Sequence, residues 1–291
     1  MFENHKVIAV TPAGRARYLA ALCAHVRAQP LIDEHYILMN PVDAAGKESE
    51  SDKQYIESFK NDSYHTVINT ADIPDSVEDP AQRRRWRIPR LFRTCVDPEA
   101  IYIFLSDDIV WMAPDAIETL LKYRVEHPEN FLVFPNVVNT AMCSYLQQQA
   151  NLIDSEHGIA YRSSRCALST KSAEFAAHVH DSFIAALKKD INAWKLDSCV
   201  LDNTNCREIM PLQVFCFFGK EFAYFDGIIP SDCLQTWLCS SYCHQWDMWN
   251  SFCGEARFAH FAHKAQEEKL QSLRKDILQE YERLAPTAEY A

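Results

Sequence analysis

The run Ile101-Tyr-Ile-Phe-Leu105 passes directly into Ser106-Asp107-Asp108, and this transition constrains the chain more than any other stretch. An unbroken apolar and aromatic run with no polar alternation predicts a strand covered on both faces. In open α/β sheets, ligands gather beyond the carboxyl ends of such strands, and Asp107 and Asp108 fall at that end. Two adjacent carboxylates repel and raise one another's pKa unless a cation, a donor or solvent compensates them. Hard oxygen ligands of this kind suit Mg2+ or Mn2+. A solvated acidic turn leading into a helix at Pro114-Asp-Ala-Ile-Glu-Thr-Leu-Leu121 accounts for the pair equally well on the residues alone.

The flanking pattern alternates strand and helix. Lys6-Val-Ile-Ala-Val-Thr11 predicts a first strand, broken by Pro12-Ala-Gly14; a helix follows with Leu19, Leu22, Cys23 and Val26 at helical spacing. Arg15 and Arg17 fall near its start, where a cation opposes the helix dipole and so implies an anionic partner. Further strands are predicted at Tyr36–Met39, Tyr64–Ile68 and Phe131–Phe134, with helices at Asp52–Phe59 and Pro114–His127. This is the signature of a parallel α/β sheet. From Asn136 the pattern is irregular: helices at Ala141–Gln149 and Ser172–Lys189, aromatic strands at Val214–Phe218 and Phe222–Phe225, and a closing amphipathic helix carrying Leu270, Leu273, Ile277, Tyr281 and Leu284. A regular half over 1–135 and an irregular half over 136–291, joined in one continuous domain, follow from that change.

A chain of 291 residues, 48% hydrophobic, buries a core without staples. Its net charge of −11 argues against a nucleic-acid binder, since phosphate backbones are gripped by Lys and Arg. The six arginines of Arg83-Arg-Arg-Trp-Arg-Ile-Pro-Arg-Leu-Phe-Arg93 stand out against that balance; most fit a solvated face, and Arg93, just ahead of the acidic strand, is placed to meet a diphosphate. No stretch reaches the length of a membrane span, and the expected setting is the cytoplasm. The 11 cysteines are dispersed in apolar contexts and are expected to be reduced and buried. Only Cys233, Cys239, Cys243, His244 and Cys253 cluster, at spacings unlike those of common structural zinc sites.

The first strand with Thr11-Pro-Ala-Gly-Arg15, the Ser106-Asp-Asp108 turn, Ser231-Asp232 and Ala259-His-Phe-Ala-His263 together resemble a GT-A-fold glycosyltransferase. More narrowly, the chain is similar to a poorly characterised glycosyltransferase group with a Thr-Pro-Ala-Gly-Arg turn and an Asp-Asp-Asp-Ile-Val metal segment. The resemblance implies a GT-A-like, Rossmann-like central mixed sheet flanked by helices, with a C-terminal amphipathic helix. It implies a nucleotide-diphosphate sugar donor, a glycan or other hydroxyl acceptor, and Mn2+ or Mg2+. By position, 1–135 would be the donor-binding half and 136–291 the acceptor-binding half; Thr11, Ala13 and Arg15 would line the donor pocket, with Ser106 and Asp107 and with Arg93 from its place ahead of the acidic strand, and Asp108 and His260 would hold the metal. Asp232 would be the base of an inverting transfer, with Glu255 as its substitute and Asp226 third. Ser106 departs from the group, which carries Asp there; a serine can still bond a ribose or a metal-bound water.

Each assignment has a plainer competitor. Asp232 or Ser231 can cap a helix, His260 and His263 can be core or surface histidines, and Trp237, Trp246 and Trp249 can be core aromatics instead of sugar platforms. Two other functions share the sheet logic: a sugar-phosphate nucleotidyltransferase, for which Gly14-Arg-Ala-Arg17 is a poor phosphate loop, and a catalytically silent nucleotide- or glycan-binding homologue.

Overall fold

The structure is a computed structural model that describes residues 1–39, 49–69, 87–201, 209–229 and 233–284. Its strands are β1 (Lys6–Ala13), β2 (Glu34–Met39), β3 (His65–Asn69), β4 (Ala100–Leu105), β5 (Ile109–Met112), β6 (Asn130–Val138), β7 (Cys199–Val200), β8 (Val214–Phe218) and β9 (Trp249–His260). They form one sheet in the order β3-β2-β1-β4-β8-β6-β9-β5, with β7 added on β9. The β3-β2-β1-β4 portion is parallel; β8 runs antiparallel to β4 and β6, and β5 antiparallel to β9. This is the α/β layout expected from the sequence: a mixed sheet flanked by helices. Strands from both halves of the chain share it.

One connection dictates its shape. Four residues from Leu105 to Ile109 reach at most about 14 Å, yet β8, β6 and β9 intervene between β4 and β5. A flat sheet would set those two strands about 19 Å apart, at about 4.8 Å per strand. The sheet must therefore curl back on itself, and the residues of the crossing turn, Ser106-Asp107-Asp108, lie where it closes.

Helix α1 (Ala16–Arg27) packs Tyr18, Leu19, Leu22, Cys23 and Val26 inward, as the spacing predicts. Then come α2 (Glu50–Ser58), capped by the Ser49 hydroxyl, α3 (Ala116–Glu126), α4 (Ala141–Gln149) and α5 (Ala173–Leu187), capped by Ser172. Residues Phe222–Phe225, expected as a strand, instead follow β8 as a helical turn over Gly219–Ala223. Phe222 turns its ring onto Phe217, with centroids 4.1 Å apart, and Gly227 holds φ 63° where a Cβ would meet the Phe92 carbonyl oxygen at 2.1 Å. Packing and a left-handed glycine override the β propensity of the aromatics.

The long strand β9 escapes a periodicity reading because only Trp249 and Glu255 along it are exposed. Its buried arginine is satisfied by the protein alone: Arg257 donates to the carbonyls of Ile191 and Ala193 at 2.6 and 2.9 Å and pairs with Asp115 at 3.0 Å. The tail forms two helices instead of the single one expected, α6 (Glu267–Leu273) and α7 (Ile277–Leu284). Leu270, Ile277 and Tyr281 are buried, whereas Leu273 is exposed. Arg274 follows α6 and pairs with Asp276 and Asp181. Among the described residues no helix is long and apolar enough to cross a membrane.

The described cysteines form no disulfide with one another; Cys199 and Cys233 are exposed and the other eight buried. A thiol reagent should therefore modify Cys199 and Cys233 quickly in the native protein and those eight only on unfolding; native disulfides in mass spectrometry would overturn this. Of the candidate sugar platforms, Trp237 is buried, and Trp246 and Trp249 are exposed.

Buried histidines set an acid limit on stability, His180 and His25 among them. His180 donates from Nε2 to the Phe261 carbonyl at 2.8 Å and accepts the Tyr281 hydroxyl at Nδ1, 2.7 Å away; His25 faces Val110. Burial pushes each pKa down to about 4. At His180 the Phe261 carbonyl opposes that shift, and the His260 and Arg274 charges add to it. Between pH 6.5 and about 4 the unfolded chain binds protons that the native chain refuses, so stability falls as pH falls. Each such group contributes a slope of up to ~1.4 kcal/mol per pH unit, and His35, His65 and His263, whose pKa values burial also lowers, add to it. Chemical denaturation at pH 7, 6 and 5 should show it, and the His180→Gln variant should remove the share of one histidine, up to ~1.4 kcal/mol per pH unit.

Candidate active site

Strands β1, β4, β6 and β9 run in one direction and deliver their carboxyl ends to one edge of the sheet. Gly14 and Arg15 follow β1, Ser106 to Asp108 follow β4, Asn139 follows β6, and His260 ends β9. The residues that meet there come from both ends of the chain.

Asp107 and Asp108 are both buried, and they are compensated within the chain. The backbone N–H groups of Gly14 and Arg15 each donate to Asp107 Oδ2 at 2.9 Å. The Arg15 guanidinium pairs with Asp107 and reaches Asp108 Oδ2 at 2.7 Å. The Arg15 cation at the helix start, a misfit by sequence, thus has its anionic partners built in. Helix α1 has no cap of its own; carboxylates from elsewhere accept its first donors, Asp107 as above and Asp52 Oδ1 from Ala16 N at 3.0 Å. Burial raises the Asp107 pKa, with the Asp108 charge adding to it, against the pull of Arg15. At Asp108 burial is again the largest influence but is outweighed by His260, Arg15 and the Ser106 hydroxyl, which hold the carboxyl well below the usual range.

Asp108 faces the second half of the site. Ser106 Oγ donates to its Oδ1 at 2.6 Å, and His260 Nε2 lies 3.2 Å from its Oδ2. His260 Nδ1 lies 3.1 Å from the Asn139 carbonyl oxygen, to which it can only donate. With Nδ1 donating there, Nε2 faces the carboxylate, a contact that a proton or a cation between them must stabilise. Asn139 itself adopts a left-handed backbone (φ 59°) and donates from Nδ2 to the Phe261 carbonyl at 2.8 Å, fixing the end of β9. An octahedral ion bonded at about 2.1 Å holds adjacent ligands about 3.0 Å apart, so the spacing fits Mg2+ or Mn2+. His263 follows β9 and sets its ring 4.8 Å from that of His260. Its buried Nε2 has no hydrogen-bond partner, and burial, then the neighbouring His260, pushes its pKa down to about 3.

Glu267 rims the cluster. It pairs with Arg17, accepts the Tyr18 hydroxyl at 2.6 Å and lies 3.9 Å from Arg15. Nothing in a short motif announces Glu267 or Asn139; only the meeting of α6 with α1, and of β6 with β9, brings them in.

Other expected residues fall elsewhere. Thr11 is fully buried and bonds His35 Nε2 at 2.9 Å, and Ala13 is also fully buried at the end of β1. Arg93 is half-buried in the turn Phe92–Thr94, its backbone against Gly227. Glu255 is exposed, five residues back along β9 from His260, about 16 Å at strand rise. It lines a separate cleft with Glu118, Lys122 and Ser198, so the structure does not bring it to Asp108. Asp226 sits in the turn after β8 with φ 53°. Asp232, with Ser231, and the arginines Arg83, Arg84 and Arg85 lie outside the described residues.

No protein-family model matches the chain, and no curated protein matches it significantly. Solved structures do. A CMP:2-keto-3-deoxy-manno-octonic acid synthetase complexed with CTP aligns over 94% of this chain and 99% of its own, with 11% identity and a TM-score of 0.47. A 4-diphosphocytidyl-2C-methyl-D-erythritol synthase from Anaerococcus prevotii aligns over 97% and 99%, with 9% identity and a TM-score of 0.40. A glucosyl-3-phosphoglycerate synthase from Mycobacterium tuberculosis, in complex with Mn2+, UDP and glucosyl-3-phosphoglycerate, aligns over 97% and 81%, with 10% identity and a TM-score of 0.46. Likenesses of this strength carry nothing about chemistry, and the narrower glycosyltransferase group stays an expectation from the sequence.

Proposed function

We propose that this protein is a metal-dependent glycosyltransferase that moves a sugar from a nucleotide-diphosphate sugar to a hydroxyl acceptor, with inversion. The observation that supports it is the facing pair of Asp108 Oδ2 and His260 Nε2 at 3.2 Å, oriented by Ser106 and Asn139. In this reading the two side chains hold Mn2+ or Mg2+, with His263 beside them. The ion, when bound, neutralises charge building on the diphosphate leaving group as a Lewis acid. Arg15, within reach of both carboxylates, is the cation that would meet the diphosphate beside the ion. Ser106, where the resemblance leads one to expect Asp, orients Asp108 through its hydroxyl and so keeps a part in the site without a charge. Asp232 is the base that takes the acceptor proton; Glu255 is a poor substitute because of its distance along β9.

Incubation with Mn2+ and a panel of nucleotide-sugars tests this. Slow release of nucleoside diphosphate, lost in the presence of a chelator, is the expected result. Pyrophosphate release from a nucleoside triphosphate and a sugar phosphate would overturn it in favour of a nucleotidyltransferase, and binding without turnover in favour of a silent homologue. With turnover in hand, Asp232→Asn should lower it about a hundredfold or more while leaving donor affinity nearly unchanged. A helix cap at that position predicts unchanged turnover, since Asn caps well.

A further inference from the structure

Away from the edge that carries Asp108, three donors converge under α1. Cys23 projects inward from that helix, His35 stands on β2 and His65 on β3, where the two histidines are register partners. Their ligand atoms all lie within 4.8 Å of one another, and all three residues are buried. Among the described residues this is the group of three His, Cys or carboxylate donors close enough to share an ion. The Cys233 to Cys253 region, the cluster visible in the sequence, does not form such a group.

Each ring has one nitrogen facing a polar side chain and the other bare. His35 Nε2 is 2.9 Å from Thr11 Oγ1, and His65 Nε2 is 3.9 Å from Asp62 Oδ2. Nδ1 of His35 and Nδ1 of His65 are both buried without any hydrogen-bond partner. Two orphaned imidazole nitrogens beside one buried thiol are costly in a core, where nearly every buried polar atom is paired. With the outer nitrogens protonated toward Thr11 and Asp62, both Nδ1 atoms carry lone pairs. This is how metal-bound histidines are oriented by outer hydroxyls and carboxylates.

We propose that Cys23, His35 and His65 form a second, structural metal site for a thiophilic d10 ion, Zn2+ or Cu+. One soft thiolate and two imidazoles suit both ions and disfavour Mg2+ or Ca2+. Zinc bonded at about 2.3 Å to sulfur and about 2.0 Å to nitrogen sets its donors roughly 3.3–3.5 Å apart, so from a trio already within 4.8 Å the closure on loading is at most about 1.5 Å. Binding releases the Cys23 proton to solvent and leaves the thiolate as ligand; no oxidation is involved. Cu+ is satisfied by three donors, whereas Zn2+ recruits a water as its fourth. The ion would pin α1 to β2 and β3, and with it the helix start that carries Arg15.

The test uses the reduced, chelator-treated protein. Titration with Co2+ should produce a thiolate-to-metal charge-transfer band in the near ultraviolet that Zn2+ bleaches at one equivalent; Cu+ should be withheld from a chromogenic chelator at the same stoichiometry if copper is the ion. Cys23→Ser should abolish both signals, and a circular dichroism spectrum matching the parent shows that it folds. Should that variant not fold, X-ray absorption of the parent loaded with one equivalent of Zn2+ decides: one sulfur with two imidazole nitrogens supports the site. Overturning results are a sulfur-free shell, a band that survives Cys23→Ser, or failure of the parent to hold either ion.

Discussion

Asp108→Asn should abolish Mn2+-dependent binding of a nucleoside diphosphate while the protein remains folded. Asp108 is one of two side chains that face each other at 3.2 Å across the proposed ion position. An amide offers a hard cation only a neutral oxygen, and its NH2 group can donate to His260 instead, so a loss of several orders of magnitude in metal affinity is expected. The fold should survive because Asp108 lies in a turn beyond the strand end and Asp107 remains paired with Arg15. Asp107→Asn should do much less to binding. Its carboxylate accepts from Gly14 N and Arg15 N, and an amide oxygen can accept the same bonds. Calorimetric titration of Mn2+ with nucleoside diphosphate into both variants checks this. Parent-like binding in Asp108→Asn would remove the site.

The second large effect concerns Arg15→Gln in the absence of divalent metal. Arg15 carries the positive charge that compensates two buried carboxylates, and their influence raises its own pKa against the opposing effect of burial. Breaking a buried pair from one side costs about 3–5 kcal/mol, and the low end applies here because Arg15 is itself 30% exposed. Melting in a chelator should fall accordingly. Added Mn2+ should then restore the variant more than it stabilises the parent, since the ion supplies the missing charge and no longer displaces a resident guanidinium. Equal Mn2+ shifts in variant and parent would mean that the ion does not bind at these carboxylates.

The first half of the chain is readable because its residues obey one period at a time. Leu19, Leu22, Cys23 and Val26 keep helical spacing, and Ile101 to Leu105 is an unbroken buried strand ending on its acids. Asp107, Asp108, Arg15 and His260 can be picked out by type and position, and they do meet. What stays hidden is which group answers which. The partner of the adjacent carboxylates is Arg15, 92 residues away, and a linear reading sees only two acids and, separately, a misplaced cation. Thr11 looks like a pocket residue from its turn, but the strand pleat sends its side chain inward to His35. Glu255 looks close to His260 because five residues is a short interval in sequence, yet along an extended strand it carries the carboxylate well out of the ion's reach. Along β9, burial on nearly every position erases the alternation that marks a strand, and Arg257 conceals it further.

The carboxylates of Asp107 and Asp52 at the start of α1 bear on how any phosphate could be recognised. A phosphate loop works by leaving backbone N–H groups vacant for an incoming anion. Here the donors of Gly14, Arg15 and Ala16 are already occupied by the chain's own side chains. A nucleotide arriving at this edge would enter an exchange reaction with a tethered competitor, which it can win only by evicting Asp107. Triphosphate grip through the backbone is therefore handicapped from the outset, whereas a diphosphate presented through a cation would bypass the contest.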